Sequence, residues 1–575
     1  MSKEEIIQKQ KEERNQILAN ILASNSTKKL IVAGAGTGKT FTFSQVLNNS
    51  EDGKNIAMTF IRLLRNDMEA TFGSKAEVRT FHEFCKKILH EKRGGFIMFP
   101  NLTTVIEEDA KYLEYSHGDF DEKFQTLDED GNDLKFYLER GDYYNAVAFN
   151  DSVYRMLKEL QKNLDILDQY DLILIDEYQD FNYLEVAFIN ELEKKGNILI
   201  VGDDDQAVYD SRYSSATHLR NKYGSGEYEI FELPFCTRCT EAIVQATNSI
   251  LKIAEENDSL RGRISKRYEC FIEAKDKDNQ KYPQITTAHL TKVSVIADFI
   301  KKQIAKISVD EINESWEEGK EYPTILIVGP GHYQKIIYKE LMEEFPNIEI
   351  KQAQQDILSI TDGYKLLLED INSNLGWRII ISFLLSDTTV KPIVKESQNR
   401  KSIISLLKPG FVETQKEIID IISKLRSDEN SKETLLLKLE GLVSEEIYQQ
   451  IVDKFLLKEE PEISKDKSKP SIMFTTFVGC KGLSAGFVFI VGANDGDFPK
   501  NPGDVSDSEI CQFVVALTRT RKKCFILSTK WLNSPKDKNG NWIDKKERTS
   551  FIDLIPKEVL EDLGEMNAAA VKKSK

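Results

Sequence analysis

The sequence predicts an α/β protein of several domains, and its texture carries that prediction in two ways. Short apolar runs end in Gly or Asp and lead into helical spacing, while two longer blocks show helical spacing alone. The runs lie at residues 30–32, 172–175, 198–201, 324–328 and 487–491. Continuous apolar runs suit strands covered on both faces, the setting of parallel strands alternating with helices. The helical blocks span about 88–155 and 365–460, and Ile418, Ile421, Ile422 and Leu425 in the second recur on one helix face. The charged, proline-bounded stretch 458–470 reads as an exposed linker, and the last residues, AAAVKKSK, read as a frayed tail.

Size and composition narrow the class. A chain of 575 residues is too long for one packed core, and at about 150 residues per domain it suggests roughly four units. With 40% hydrophobic and 30% charged residues it is too apolar for disorder and too charged for a membrane-embedded protein. Its longest purely apolar runs fall far short of the roughly 18 residues that span a bilayer. The N-terminus MSKEEIIQKQKEERNQ has no apolar core of a secretory leader, so the cytosol is the expected compartment. Seven scattered cysteines are expected to be reduced, and the lone CxxC pair Cys236 and Cys239 lacks the partners of a metal site. The net charge of −16 argues against indiscriminate nucleic-acid binding, so any strand would need a local basic or stacking groove.

The chemistry-bearing motifs begin at IVAGAGTGKTFTF, residues 31–43. A strand precedes it and a helix with Phe43, Val46 and Leu47 on one face follows. Ala33, Gly34, Ala35, Gly36, Thr37 and Gly38 form the loop, whose glycines let backbone N–H groups curl around phosphate oxygens. Lys39 supplies a cation for the β and γ charges, and Thr40 can offer its hydroxyl to Mg²⁺. Ala33 stands where the strict pattern has its first glycine. The pattern specifies a nucleoside triphosphate.

DLILIDEYQD, residues 171–180, places Asp176 and Glu177 just beyond a buried run, where parallel sheets present ligand-binding groups. Asp176 suits Mg²⁺, and Glu177 suits activation of the water that attacks the γ-phosphorus. The same acids also suit the N-terminus of the next helix.

AGAGTGKT, IDEYQD and VGDDDQAVY, in that order, resemble the motifs of the UvrD/Rep/PcrA group of superfamily-one DNA helicases. So do TFIRLLRNDM, TFHEF, FELPFCTRCTEAIV, TTFVGCKGLSAG and EICQFVVALTRTRKK, which spread the resemblance over residues 31–523. It implies ATP and Mg²⁺ as cofactors, with Arg238 and Arg519 reaching the γ-phosphate from a second domain and Gln206 sensing it. It also implies base stacking by Phe60, strand contacts from Thr80 and His82, and an adenine-reading glutamine, for which Gln16 is the candidate and Gln10 the alternative.

The implied fold is two RecA-like P-loop motor domains with helical insertions. The first motor domain covers 1–90 and 150–232 around an insertion at 91–149. The second covers 233–364 and 466–575 around a reduced insertion at 365–465. The implied activity is 3′-to-5′ movement on single-stranded DNA with unwinding of tailed duplex. Two alternatives are a stimulated ATPase that needs a partner such as a nuclease, and an ATP-driven protein-binding switch.

The sequence also departs from the group. Ser211 replaces the stacking tryptophan while Arg212 is kept, and Tyr209 or Tyr213 is the candidate substitute. Thr237 stands where an adenine-stacking tyrosine is expected, with Phe235 as a possible replacement. Val478 and Ser484 replace the histidine and glutamate of TxHxxKGLE, and Phe41 follows GKT where arginine is common. Strand grip and base recognition are the properties these changes touch.

Overall fold

The central strands of each large sheet are buried on both faces, which is why their sequences lack polar alternation. The computed structural model describes every residue except 1, 51–52, 60–61, 94, 210–211, 318–321, 346, 352–356, 428–431, 457–465, 535, 537–544 and 574–575. Two compact units result, one of residues 1–81, 165–353 and 465–575, the other of residues 82–164 and 354–464.

The first unit holds both large sheets. One contains β1 (Lys28–Ala33), β2 (Asn55–Thr59), β3 (Glu77–Thr80), β4 (Leu172–Ile175), β5 (Asn197–Gly202) and β6 (Glu229–Leu233), in the order β3-β2-β4-β5-β1-β6. Every neighbouring pair is parallel, with Leu30 opposite Ile200 on one side and Ile230 on the other. The loops after β4, β5 and β1 therefore leave the same edge of the sheet side by side, where open α/β sheets place ligands.

The other sheet contains β7 (Ile285–Lys292), β8 (Ile325–Val328), β9 (Ile348–Ile350), β10 (Ile472–Thr475), β11 (Ala485–Val491), β12 (Thr520–Trp531) and β13 (Leu560–Met566). They run in the order β9-β10-β8-β11-β12-β7-β13, again with parallel neighbours. Strand alternation sends Leu326, Val328, Val488 and Ile490 to the face covered by helices Glu241–Glu256 and Asp507–Leu517. Ile325, Ile327, Phe487 and Phe489 face helices Val293–Ile304 and Gly331–Leu341.

The chain's end corrects one expectation. The segment Ala568–Lys573 is a helix with Val571 buried, and Lys302 Nζ donates to the Val571 carbonyl at 2.7 Å. One well-placed apolar side chain and one capped carbonyl hold a tail that composition alone describes as loose.

The second unit is helical, and the two helical blocks pack together within it. Asp109, fully buried, accepts from Arg140 Nε and Arg378 Nε, both at 2.8 Å, and from Tyr144 Oη at 2.6 Å. Arg140 also donates to Ser397 Oγ at 3.1 Å. This network pins the segment after residue 354 to the segment before residue 164. The unit begins at 82 and resumes through 164, so residues 82–90 and 150–164 lie in it rather than with the first sheet. The cause is visible in helix Phe149–Lys162, whose Tyr154 ring packs on Phe124 at 5.3 Å. Among the described residues no helix is long and apolar enough to cross a membrane.

Asp151 in that helix is buried, with Arg155 Nε 3.6 Å away, and burial pushes its carboxyl up to about 7. A folded value above the unfolded one, about 3.9, stabilises the fold fully below the unfolded value. That contribution is lost as the pH rises through about 7. Asp151→Asn removes the titration. Urea unfolding should show the variant gaining on the parent by on the order of 1–3 kcal/mol between pH 5 and pH 8. Equal differences at both pH values would refute the assignment.

Candidate functional site

The loop after β1 has the backbone that its glycines permit. Gly36 and Gly38 have φ of 69° and 93°, a left-handed region costly for other residues. The loop is also closely approached: a Cβ on Gly34 would stand 2.7 Å from the Tyr268 ring, and one on Gly36 2.5 Å from Arg238 Cβ. Tyr268 Oη donates to the Ala35 carbonyl at 3.0 Å, and Thr237 N donates to the Gly36 carbonyl at 2.9 Å. Thr37 Oγ1 donates back to the Gly34 carbonyl at 2.9 Å. Ala33 closes β1, and Lys39 and Thr40 open helix Lys39–Asn49, where free N–H groups and the helix dipole favour an anion.

The acids stand at the end of β4. Asp176 and Glu177 are both buried, and Lys39 Nζ lies 3.2 Å from Glu177 Oε1. Burial and the adjacent Glu177 charge push the Asp176 carboxyl up. Burial acts upward on Glu177 as well, but Lys39 and Lys481 outweigh it and hold Glu177 well below the usual carboxylate range. Burial lowers the Lys39 ammonium less than Glu177, Asp176 and Asp203 raise it, so it stays charged. The site thus contains one ionised carboxylate already paired with the phosphate-binding lysine.

A hydrogen-bonded chain extends from this pair. Gln179 Nε2 donates to Glu177 Oε2 at 2.6 Å, and its Oε1 accepts from Asp203 N at 2.9 Å. Gln206 Nε2 donates to Asp203 Oδ2 at 2.6 Å, and its Oε1 accepts from Arg519 Nη2 at 3.0 Å. Arg519 follows helix Asp507–Leu517 and is held by two backbone carbonyls, donating from Nε to the Val515 carbonyl at 2.9 Å and from Nη1 to the Leu483 carbonyl at 3.3 Å. Burial and the charge of Arg238 push its guanidinium value down, as expected of two cations facing one space. Lys39, Thr40, Asp176, Glu177, Gln206, Arg238 and Arg519 line one cavity of about 260 Å³.

Lys481 is a residue that motif reading left without a role. It comes from the loop between β10 and β11, is 2% exposed, and donates to Asp180 Oδ1 at 2.7 Å and to the Gln206 carbonyl at 2.5 Å. A lone lysine in GCKGLS carries no signal that it spans two other motifs.

The structure does not bring Gln16 to this cavity. Gln16 is exposed and donates to Asn20 Oδ1 one turn along its own helix, Lys3–Ala23. Gln10 is buried, but it bridges the Cys270 carbonyl and Ile272 N, both at 3.1 Å. A second cavity of about 140 Å³ adjoins the phosphate loop, lined by Arg14, Asn15, Thr37, Phe41 and Phe235 among others. Arg14 lies 5.7 Å from the Phe41 ring and 5.0 Å from that of Phe271. Phe235 lines this cavity, whereas Thr237 lines the phosphate one.

Of the strand-contact candidates, Phe60 and the departure at Ser211 lie outside the described residues. Thr80 ends β3 and is buried; His82, in the helical unit, packs on Phe149 at 4.9 Å. Tyr209 is half-buried with Lys481 Nζ 5.6 Å from its ring centre, and Arg212 lies 3.8 Å from Glu185. Tyr213 is the more exposed of the two candidate tyrosines, at 38%. Val478 packs against the core, and Ser484 accepts from Arg521 Nε at 3.0 Å. The seven cysteines are free and buried, and Cys236 Sγ lies 3.4 Å from Tyr268 Oη beneath the loop.

Asp203, Asp204 and Asp205 have the proximity of a metal site, but Lys266 contacts all three carboxylates. The cation is already supplied by the chain.

Comparison with known proteins adds kinship. Residues 16–212 match the AAA domain family. A probable DNA helicase II homolog of Mycoplasma genitalium is 22% identical over 91% of this chain and 86% of its own length. The ATP-dependent DNA helicase PcrA of Bacillus subtilis is 25% identical over 39% of this chain and 37% of its own. The exonuclease/helicase subunit RexA of Lactococcus lactis is 30% identical over 24% of this chain and 13% of its own.

Proposed function

We propose that the chain works as a divergent UvrD/PcrA-like superfamily-one DNA helicase, a reading supported by its similarity to DNA helicase II and PcrA proteins, and that it couples ATP hydrolysis to 3′-to-5′ movement along single-stranded DNA and to separation of tailed duplex. The motor domains are the two sheet-bearing halves, which divide near residue 232, and the helical blocks are their insertions. The observation that supports this most is the single cavity shared by Lys39, Asp176, Glu177 and Gln206 from the first half and Arg238 and Arg519 from the second.

In that cavity Lys39 and the loop N–H groups hold the β and γ phosphates. Thr40 and Asp176 both line it, and a hydroxyl and a carboxylate are oxygen donors of the kind that suit a hard, partly hydrated cation. They would hold Mg²⁺, which when bound neutralises charge on the phosphates. Glu177, ionised and aimed by Gln179, takes the proton of the attacking water. Gln206 orients that water, and Arg238 and Arg519 stabilise charge on the leaving γ-phosphoryl. Because the arginines and the lysine come from different halves, ATP favours their approach and hydrolysis releases it. The cavity beside Phe41 takes the base, with Arg14 in place of Gln16.

Single-stranded DNA should raise ATP hydrolysis, more than duplex DNA or RNA does, and Lys39→Ala should abolish both basal and stimulated rates. Duplexes with 3′ tails should be displaced and those with 5′ tails left intact. Hydrolysis indifferent to DNA would favour the protein-binding switch instead. The similarity of 24% of the chain to an exonuclease/helicase component favours one second reading, a motor that unwinds only beside a nuclease. Stimulated hydrolysis without strand displacement would select it.

A further inference from the structure

Three consecutive aspartates precede Gln206, and they are unequally neutralised. Asp205 is gripped by the fork of Arg263, Nε to Oδ1 at 2.6 Å and Nη2 to Oδ2 at 2.9 Å. Asp204 accepts from Arg220 Nε at 3.0 Å and Ile264 N at 2.8 Å. Asp203 has no arginine of its own among the described residues; its ion pair is with Lys266, at 2.9 Å. That ammonium, 3% exposed, also lies 2.8 Å from Asp204 and 2.6 Å from Asp205. One oxygen from each of the three carboxylates lies within 4.8 Å of the other two. The Lys266 ammonium is thus the one cation that contacts all three carboxylates among the described residues.

Asp203 also orients Gln206. Its Oδ1 takes Lys266 and Asp205 N, the latter at 3.2 Å, which leaves Oδ2 for the Gln206 amide at 2.6 Å. With the Gln206 nitrogen committed to Asp203, its carbonyl oxygen is the atom that meets Arg519. Lys266 belongs to the segment after helix Glu241–Glu256, in the second half, whereas the aspartates follow β5 in the first.

We propose that Lys266 is a positioning residue for hydrolysis. By fixing Asp203 it fixes the Gln206 amide, and through it the Arg519 guanidinium, so that movement of the second half reaches the water-orienting group through a buried ion pair as well as through the nucleotide. The proposal rests on ATP binding in the Lys39 cavity. It does not require the Gln206 contact itself to change when Arg263 is altered, because of the three aspartates Arg263 grips Asp205.

The test is a double-mutant cycle on the full chain, read as kcat and KM for ATP with single-stranded DNA present, beside ATP affinity and melting temperature. Lys266→Gln should lower kcat by about ten- to a hundredfold with KM nearly unchanged. Adding it to Gln206→Ala should lower kcat by no more than about threefold further. Arg263→Gln, which strips charge from the same cluster, should leave kcat within about threefold of the parent. Multiplicative losses in the double variant, or equal losses in Arg263→Gln, would overturn the proposal. If Lys266→Gln fails to fold, Lys266→Arg keeps the charge without the three-way geometry, and the same non-additivity is expected. A parent that hydrolyses no ATP, or that ignores Lys39→Ala, would instead overturn the nucleotide reading.

Discussion

Glu177→Gln should bind ATP at least as tightly as the parent and turn it over about a thousandfold more slowly. The amide keeps the shape of the side chain and can still meet Gln179, but it cannot accept a proton. It also no longer competes for Lys39, whose ammonium lies 3.2 Å from Glu177 Oε1 before any phosphate arrives. Lys39 is then free for the β and γ phosphates. Fluorescent-nucleotide binding and phosphate release, measured on the same preparation, separate the two effects. Normal phosphate release would remove Glu177 from the role of base.

Arg519→Ala should lower kcat by about a hundred- to a thousandfold while ATP affinity changes far less. The side chain is preorganised by the Val515 and Leu483 carbonyls, so it reaches the transition state at little cost. Its contact with Gln206 Oε1 ties its position to the water-orienting group. Arg519→Lys keeps a charge but loses the fork and the backbone anchors, and should recover only a small part of the rate. A large rise in KM with kcat preserved would make Arg519 a binding group and not a stabiliser of the transition state.

Much of the fold was legible because burial on both faces leaves a mark that needs no partner to read. The apolar runs at 172–175 and 487–491 lie within β4 and β11 for that reason. The phosphate loop was legible because backbone geometry there demands glycine. Cross-chain pairing was not. Lys266 and Lys481 are two among 78 basic residues, and nothing local distinguishes a lysine buried on distant carboxylates from one in solvent. Gln16 was misplaced for a related reason. Helical spacing gives the angle between residues on Lys3–Ala23, but only packing decides that Arg14 and Asn15 line the cavity while Gln16 faces Asn20. The domain edges near 82 and 164 were set by which core claims a helix, as the Tyr154–Phe124 contact shows.

A structure determined with a non-hydrolysable ATP analogue and Mg²⁺ bears most directly on whether one nucleotide is held by both halves. The expected result is Lys39 on the β and γ phosphates, with the Arg238 and Arg519 guanidinium groups both about 3 Å from γ-phosphate oxygens. A bound nucleotide that leaves both arginines out of reach of the γ-phosphate would contradict the motor mechanism.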